Sequence, residues 1–264
     1  METYQEFINR ISAFELPELL LGDRAFISSE AVAKKVHDNN SFRSFYGDTI
    51  VFDLSEQEKI TVNNIVEQLY NEVPECFSEH LPKDTLHMTL HDLSNSPVLA
   101  DISLKMQENE KKLQEILSAE PVEPQIIHMQ SMAVFNMVNT ALVIGLYPAD
   151  EQEYKKLMQL YQLADRIVKL PYPLTPHITL AYYNKDGFSD IGKRKLESVV
   201  NCLNKSPVSI TLDTGRLCYK HFKSMNLYNT VMKSGNFQKK VSISGECGST
   251  FAVSETQRRI ICIY

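Results

Sequence analysis

The sequence contains no apolar run approaching the length that a bilayer span requires. Its first residues, Met-Glu-Thr-Tyr-Gln-Glu, lack the basic stretch and apolar run of a signal peptide, and none is expected. No C-x-x-C pair occurs among Cys76, Cys202, Cys218, Cys247 and Cys262. That odd, scattered set makes neither a zinc pattern nor a disulfide ladder and reads as reduced thiols, so a cytoplasmic setting is expected. Basic residues are not in excess. With 27 Lys and Arg against 33 Asp and Glu, the net charge of −6 argues against a surface that coats nucleic acid. A small positive pocket gripping one or two phosphates stays open. A His-Glu-x-x-His zinc helix, a Gly-rich phosphate loop and a Gly-x-Ser-x-Gly elbow are absent as well, which removes the common metal-hydrolase, P-loop and serine-hydrolase readings. What is present is 264 residues, 43% of them apolar, enough to bury a full core as one large domain or two intimate lobes.

Against that background two short stretches stand out. Leu86–Asp92 reads Leu-His-Met-Thr-Leu-His-Asp, and Leu174–Tyr183 reads Leu-Thr-Pro-His-Ile-Thr-Leu-Ala-Tyr-Tyr. Both contain His, an apolar residue, Thr, then Leu. In a strand, residues two apart share a face. His87 therefore lies beside Thr89, and His177 beside Thr179, while Met88, Leu90, Ile178 and Leu180 turn to a core. A lone His-x-Thr means little. Two copies ninety positions apart, in a chain with seven His, are a different matter.

The flanking elements repeat approximately. Tyr4, Phe7, Ile8, Ile11 and Phe14 fall at helical spacing until Pro17, and a second helix is expected over Ser29–His37. This prelude, 1–46, is expected to be a helical extension. Asp48–Leu54 reads as a strand. Ser55 with Glu58 three positions on forms a capping box that opens a helix reaching about Phe77. The first motif strand comes next, then a helix through Leu117, then a hairpin of Gln125–Phe135 and Thr140–Tyr147. The second half runs helix to Lys169, motif strand His177–Tyr183, helix Asp190–Leu203, and strands Val208–Leu212, Gly215–His221 and Met225–Val231. Residues 47–233 are thus expected to form one bilobal domain. Residues 234–264, with Arg259–Tyr264 as a candidate final strand, have no legible task.

The two motifs, with the leaders Leu81-Pro82-Lys83-Asp84-Thr85 and Pro173-Leu174-Thr175-Pro176, resemble those of the two-histidine (2H) phosphoesterases, which include LigT-like RNA 2',5'-ligases and 2',3'-cyclic phosphodiesterases. The resemblance spans roughly Asp48 to Tyr228 in element order. It implies an α+β fold of two pseudo-symmetric lobes, each an antiparallel sheet with helices outside, flanking a central active-site cleft. It implies His87 and His177 as a catalytic acid–base pair, with Thr89 and Thr179 binding phosphate. Cofactors and metals are not implied. The implied substrate carries a 2',3'-cyclic phosphate or a 2',5' linkage on a nucleotide or short RNA, and a monomer without a membrane partner is expected.

The residues themselves allow that chemistry. Near neutral pH one imidazole can be neutral and the other protonated, so they can serve as base and acid on opposite sides of one phosphorus. The Thr hydroxyls can donate to its non-bridging oxygens. Three neighbours are further candidates for substrate binding: His91, if its strand stays regular; Tyr183, on the His177 face, as a stacking ring; and Lys83, at the cleft edge. Tyr182, on the opposite face, is expected in the core. Which His is base, and whether hydrolysis or ligation is favoured, stays open. Two rivals also stay open: a nucleotide- or phosphate-binding protein without turnover, and an interaction protein whose motifs are accidental.

Overall fold

The computed structural model describes residues 2–15 and 25–234. The expected final strand Arg259–Tyr264 lies outside the described residues. Helix α1 spans Tyr4–Ser12, α2 Glu30–Ala33, α3 Glu56–Glu72, α4 Ser103–Ala119, α5 Glu151–Asp165 and α6 Asp190–Leu203. Strands are β1 Tyr46–Asp53, β2 His87–Ser96, β3 Ile126–Met137, β4 Ala141–Pro148, β5 His177–Tyr182, β6 Ser209–Asp213, β7 Leu217–Ser224 and β8 Leu227–Lys233.

The strands form one sheet in the order β6-β3-β4-β5-β2-β1-β7-β8, with every neighbouring pair antiparallel. It divides into two four-stranded halves, the expected lobes, joined edge to edge where β2 meets β5. That junction is a single residue pair, Met88 against Ile178. The two motifs therefore occupy the central strands of the molecule, and their apolar second residues form the seam. The halves also exchange strands. After α4 the chain adds β3 to the second half, and after β6 it returns to place β7 against β1.

Helices α3, α4, α5 and α6 cover one face. Val62, Val66 and Leu69 of α3, Leu157 and Ala164 of α5, and Leu196 and Val199 of α6 share one apolar core with Met88, Leu90, Ile178 and Leu180. Phe7, Ile11 and Phe26 of the N-terminal segment belong to the same core. The alternation in the motif strands thus does what period two dictates, with apolar residues toward the helices and His and Thr toward the other face. The capping box on α3 is formed: Ser55 Oγ accepts from the Glu58 amide at 3.3 Å, and Glu58 Oε2 accepts from the Ser55 amide at 2.8 Å. Glu58 Oε1 additionally accepts from the Thr211 amide at 2.6 Å, tying α3 to β6. The hairpin between β3 and β4 turns at Val138 and Asn139, both with positive φ (44° and 56°), the signature of a type I′ turn.

Candidate active site

On the open face the two motifs line one cavity of about 520 Å³ that contains His87, Thr89, His177 and Thr179. Extending the antiparallel register from Met88–Ile178 sets His87 beside Thr179 and Thr89 beside His177. Each imidazole is thus close to the hydroxyl of the other motif. The rings are fixed alike. His87 Nδ1 lies 2.6 Å from Thr85 O, and His177 Nδ1 lies 2.7 Å from Thr175 O. A carbonyl only accepts, so each Nδ1 carries the proton and donates it. That leaves Nε2 of both rings for a ligand. Among the described residues, neither Thr89 nor Thr179 spends its hydroxyl on an internal hydrogen bond.

The two histidines differ electrostatically. Desolvation pushes the His87 pKa down to about 4; the Thr85 carbonyl opposes this, Lys220 and His177 reinforce it, and Asp53 opposes it. Asp53 stands opposite His87 across β1, and its carboxylate holds Lys220 Nζ at 2.5 Å. The corresponding place beside His177 is Gly145, where a Cβ would come within 2.7 Å of the Phe135 ring. His177 is also lowered by desolvation, against the Thr175 carbonyl and the Asp92 carboxylate, with Lys35 acting in the lowering sense. Tyr228 packs edge-on against the His87 ring at 5.0 Å.

Three of the sequence-derived candidates do not offer a free group to a ligand there: His91 borders the cavity with both ring nitrogens engaged, and Tyr183 and Lys83 are not part of its lining. Directly after each motif the strand carries a bulge. Val51 pairs with Thr89 but Ile50 with His91; Val143 pairs with Thr179 but Leu142 with Ala181. The extra residues, Leu90 and Leu180, reverse the alternation, so the residues C-terminal to them change face. His91 consequently turns away from the Thr89 face. Its side chain is 0% exposed, Nδ1 meets Asp92 O at 2.6 Å, Nε2 meets Asp165 Oδ1 at 3.0 Å, and no ring nitrogen is left for a ligand. Tyr183 turns into the core, 0% exposed, among Phe26, Phe77 and Phe188. Tyr182, expected in the core, instead lines the cavity, and so does Asp92 at the equivalent place in β2. Lys83 is held outside it by Glu56 at 3.4 Å.

The cavity's other wall had no signal in the sequence. Phe45, Phe222 and Tyr228 line it from the first half, Tyr172 and Leu174 from the loop ahead of β5, and Lys34 and Lys35 from α2 and its C-terminal end. These residues come from separate elements, and only the tertiary fold brings them together.

No protein-family model matches the sequence, and no curated protein matches it. Among solved structures, a conserved protein of unknown function from Agrobacterium tumefaciens is 15% identical with a TM-score of 0.54, covering 78% of this chain and 93% of its own. A structure described as a phosphoesterase is 16% identical with a TM-score of 0.44, covering 70% and 95%. LigT from E. coli, complexed with 3'-AMP, is 13% identical with a TM-score of 0.43, covering 71% and 96%. At such identities the likeness speaks to architecture alone: the chain shares the fold of the Agrobacterium protein over nearly all of that protein's length.

Proposed function

We propose that this chain is a two-histidine phosphoesterase, a metal-independent phosphodiesterase for nucleotides or short RNA with a 2',3'-cyclic phosphate or a 2',5' linkage. In this reading residues 47–233 form the catalytic unit and the earlier residues are an addition packed on it. The observation that carries the proposal is the paired geometry: two Nδ1-anchored imidazoles and two hydroxyls, from strands adjacent across the seam, face one cavity. On a cyclic phosphate, His87 Nε2 takes the proton of an attacking water and the new P–O bond forms. The ribose oxygen leaves from the opposite side and takes its proton from His177 Nε2. Thr89 and Thr179 donate to the non-bridging oxygens, where negative charge grows. We assign His87 as the base because desolvation there pushes its pKa down to about 4; His177 is lowered by desolvation as well, and there the Thr175 carbonyl and Asp92 favour imidazolium while Lys35 opposes it. The unpaired thiols Cys76, Cys202 and Cys218 suit a reducing, cytoplasmic setting. Among the described residues no helix is long and apolar enough to cross a membrane.

The test is turnover of 2',3'-cyclic nucleotides and 2',5'-linked oligonucleotides in the presence of EDTA. His87→Ala and His177→Ala should each lower kcat by roughly 10²–10⁴-fold, the usual worth of one general acid or base, with melting temperatures close to wild type. Binding without turnover in the wild type would instead support a nucleotide-binding protein.

A further inference from the structure

The segment 25–46 bridges the two halves. At one end Phe26 forms a β-bridge with Phe188, and the Ser29 amide donates to Asn139 O at 2.8 Å. At the other, the Glu79 amide donates to Asn40 O at 2.8 Å and the Phe45 amide to Lys223 O at 2.9 Å. Between these anchors lies the short helix α2, capped by the Ser29 hydroxyl. Its turn sorts side chains by spacing. Val32 and Val36, four apart, are both 0% exposed. Ala31, Lys34 and Lys35, at i, i+3 and i+4, line the cavity. Lys35 Nζ stands 5.1 Å from the Tyr182 ring centroid and 5.4 Å from that of Phe45. Among the described residues neither lysine is paired with a carboxylate, whereas Lys83, Lys185, Lys193 and Lys220 all are.

The cavity is therefore polarised. Cations and aromatic rings stand on the α2 side, and Asp92, holding the Tyr172 hydroxyl, stands on the wall shared with the loop ahead of β5. In a protein of net charge −6, two ammonium groups on an anchored support beside aromatic rings make this side of the cavity cationic. The charge of Lys35 reaches the candidate catalytic centre, since it acts on His177. We propose that Lys34 and Lys35 form a second phosphate subsite, so that the preferred substrate is an oligonucleotide or bisphosphorylated nucleotide whose flanking phosphate lies on the α2 side of the scissile one. The nucleoside between the two phosphates packs beside the half-buried Tyr182. This rests on the phosphoesterase reading for the first phosphate but is tested separately from it.

The measurement is the affinity of adenosine 2'-monophosphate and of adenosine 2',5'-bisphosphate, by calorimetry, for wild type, Lys34→Gln/Lys35→Gln and a control, Lys111→Gln/Lys112→Gln on α4. Wild type should favour the bisphosphate by ~10-fold or more, the scale of one or two charge-assisted contacts. The α2 variant should lose most of that ratio, and the α4 control should keep it. Because the ratio is taken within each protein, general damage to the cavity cancels. A wild-type ratio near one, or a ratio that survives the α2 substitutions or falls equally in the control, overturns the subsite. If neither nucleotide binds wild type, the subsite and the phosphoesterase reading fall together. If the ratio behaves as expected but cyclic substrates are not turned over, only the catalytic reading falls.

Discussion

At His87 two demands meet. In the proposed mechanism the ring must be dry enough to act as a base and still belong to a stable fold. With its pKa pushed down to about 4, the folded protein holds the ring neutral at pH values where the unfolded chain, titrating near 6.5, already binds a proton. The unfolded state takes up more protons below pH 6.5, so stability falls from there toward pH 4. His87→Asn removes that liability. Its stability relative to wild type should rise on acidification from pH 7.5 to 4.5 by roughly 1–3 kcal/mol, read from urea midpoints at the two values. A difference independent of pH would contradict the assigned environment. In the proposed mechanism the same shifts set the pH dependence of turnover. Both histidines are lowered, so the profile of kcat/KM should be bell-shaped with its descending limb below pH 6.5. The limbs of kcat should lie higher, because a bound phosphate anion favours imidazolium. The motif histidines and threonines were readable in the chain because period-two alternation and repetition are local properties. His91 was not, since a bulge exists only relative to a partner strand.

At the scale of elements, those bulges decide which aromatic meets the ligand. Regular alternation after His177 puts Tyr183 in the cleft and Tyr182 in the core; the extra residue at Leu180 exchanges them. Tyr182→Ala should therefore raise KM with little change in melting temperature. Tyr183→Ala should cost about 3–5 kcal/mol, the usual penalty for emptying a large aromatic site. Tyr183→Phe should gain about 1 kcal/mol, because the buried hydroxyl has no hydrogen-bond partner among the described residues. The capping box on α3 was legible as Ser55-x-x-Glu58, but its second task was not. Burial alone would raise the Glu58 pKa; hydrogen bonds from Ser55 and Thr211 outweigh it and hold it low. The depressed carboxylate stabilises the fold above its unfolded range and loses that contribution as pH falls through its folded value. Glu58→Ala should thus destabilise by about 1–3 kcal/mol at pH 7, and the deficit should shrink in acid, as circular-dichroism melts at pH 7 and pH 3.5 would show. The lysines of α2 lay hidden for another reason. Nothing in Ala31–Lys35 says which cavity the helix will face, and the anchors of its segment, Asn139, Phe188, Glu79 and Lys223, are 39 or more positions from the residues they bind.

For the whole molecule, the junction of the halves is the sensitive place. Element order in the sequence suggested two lobes, and the halves are there, yet they share one continuous sheet whose middle bond is a single pair. Ile178→Ala should cost about 2–4 kcal/mol, since the side chain is 0% exposed. It should also reduce kcat more than it raises KM, because the spacing of the two imidazoles depends on that contact. A loss confined to stability, with kcat intact in the folded fraction, would show that the helices alone hold the halves in place. Those helices do cross the junction: α3 packs on β5 and α5 on β2.

The exchange of β3 and β7 carries a consequence for how the protein is made. On the ribosome, β1 and β2 emerge early, but the neighbour that completes β1 arrives only with Leu217–Ser224. Until then the strand bearing His87 is backed by a ribbon with an open edge, and the nascent chain has no finished pocket. Synthesis interrupted between Tyr183 and Leu217 yields a polypeptide that carries both motif histidines but lacks the strand that completes β1.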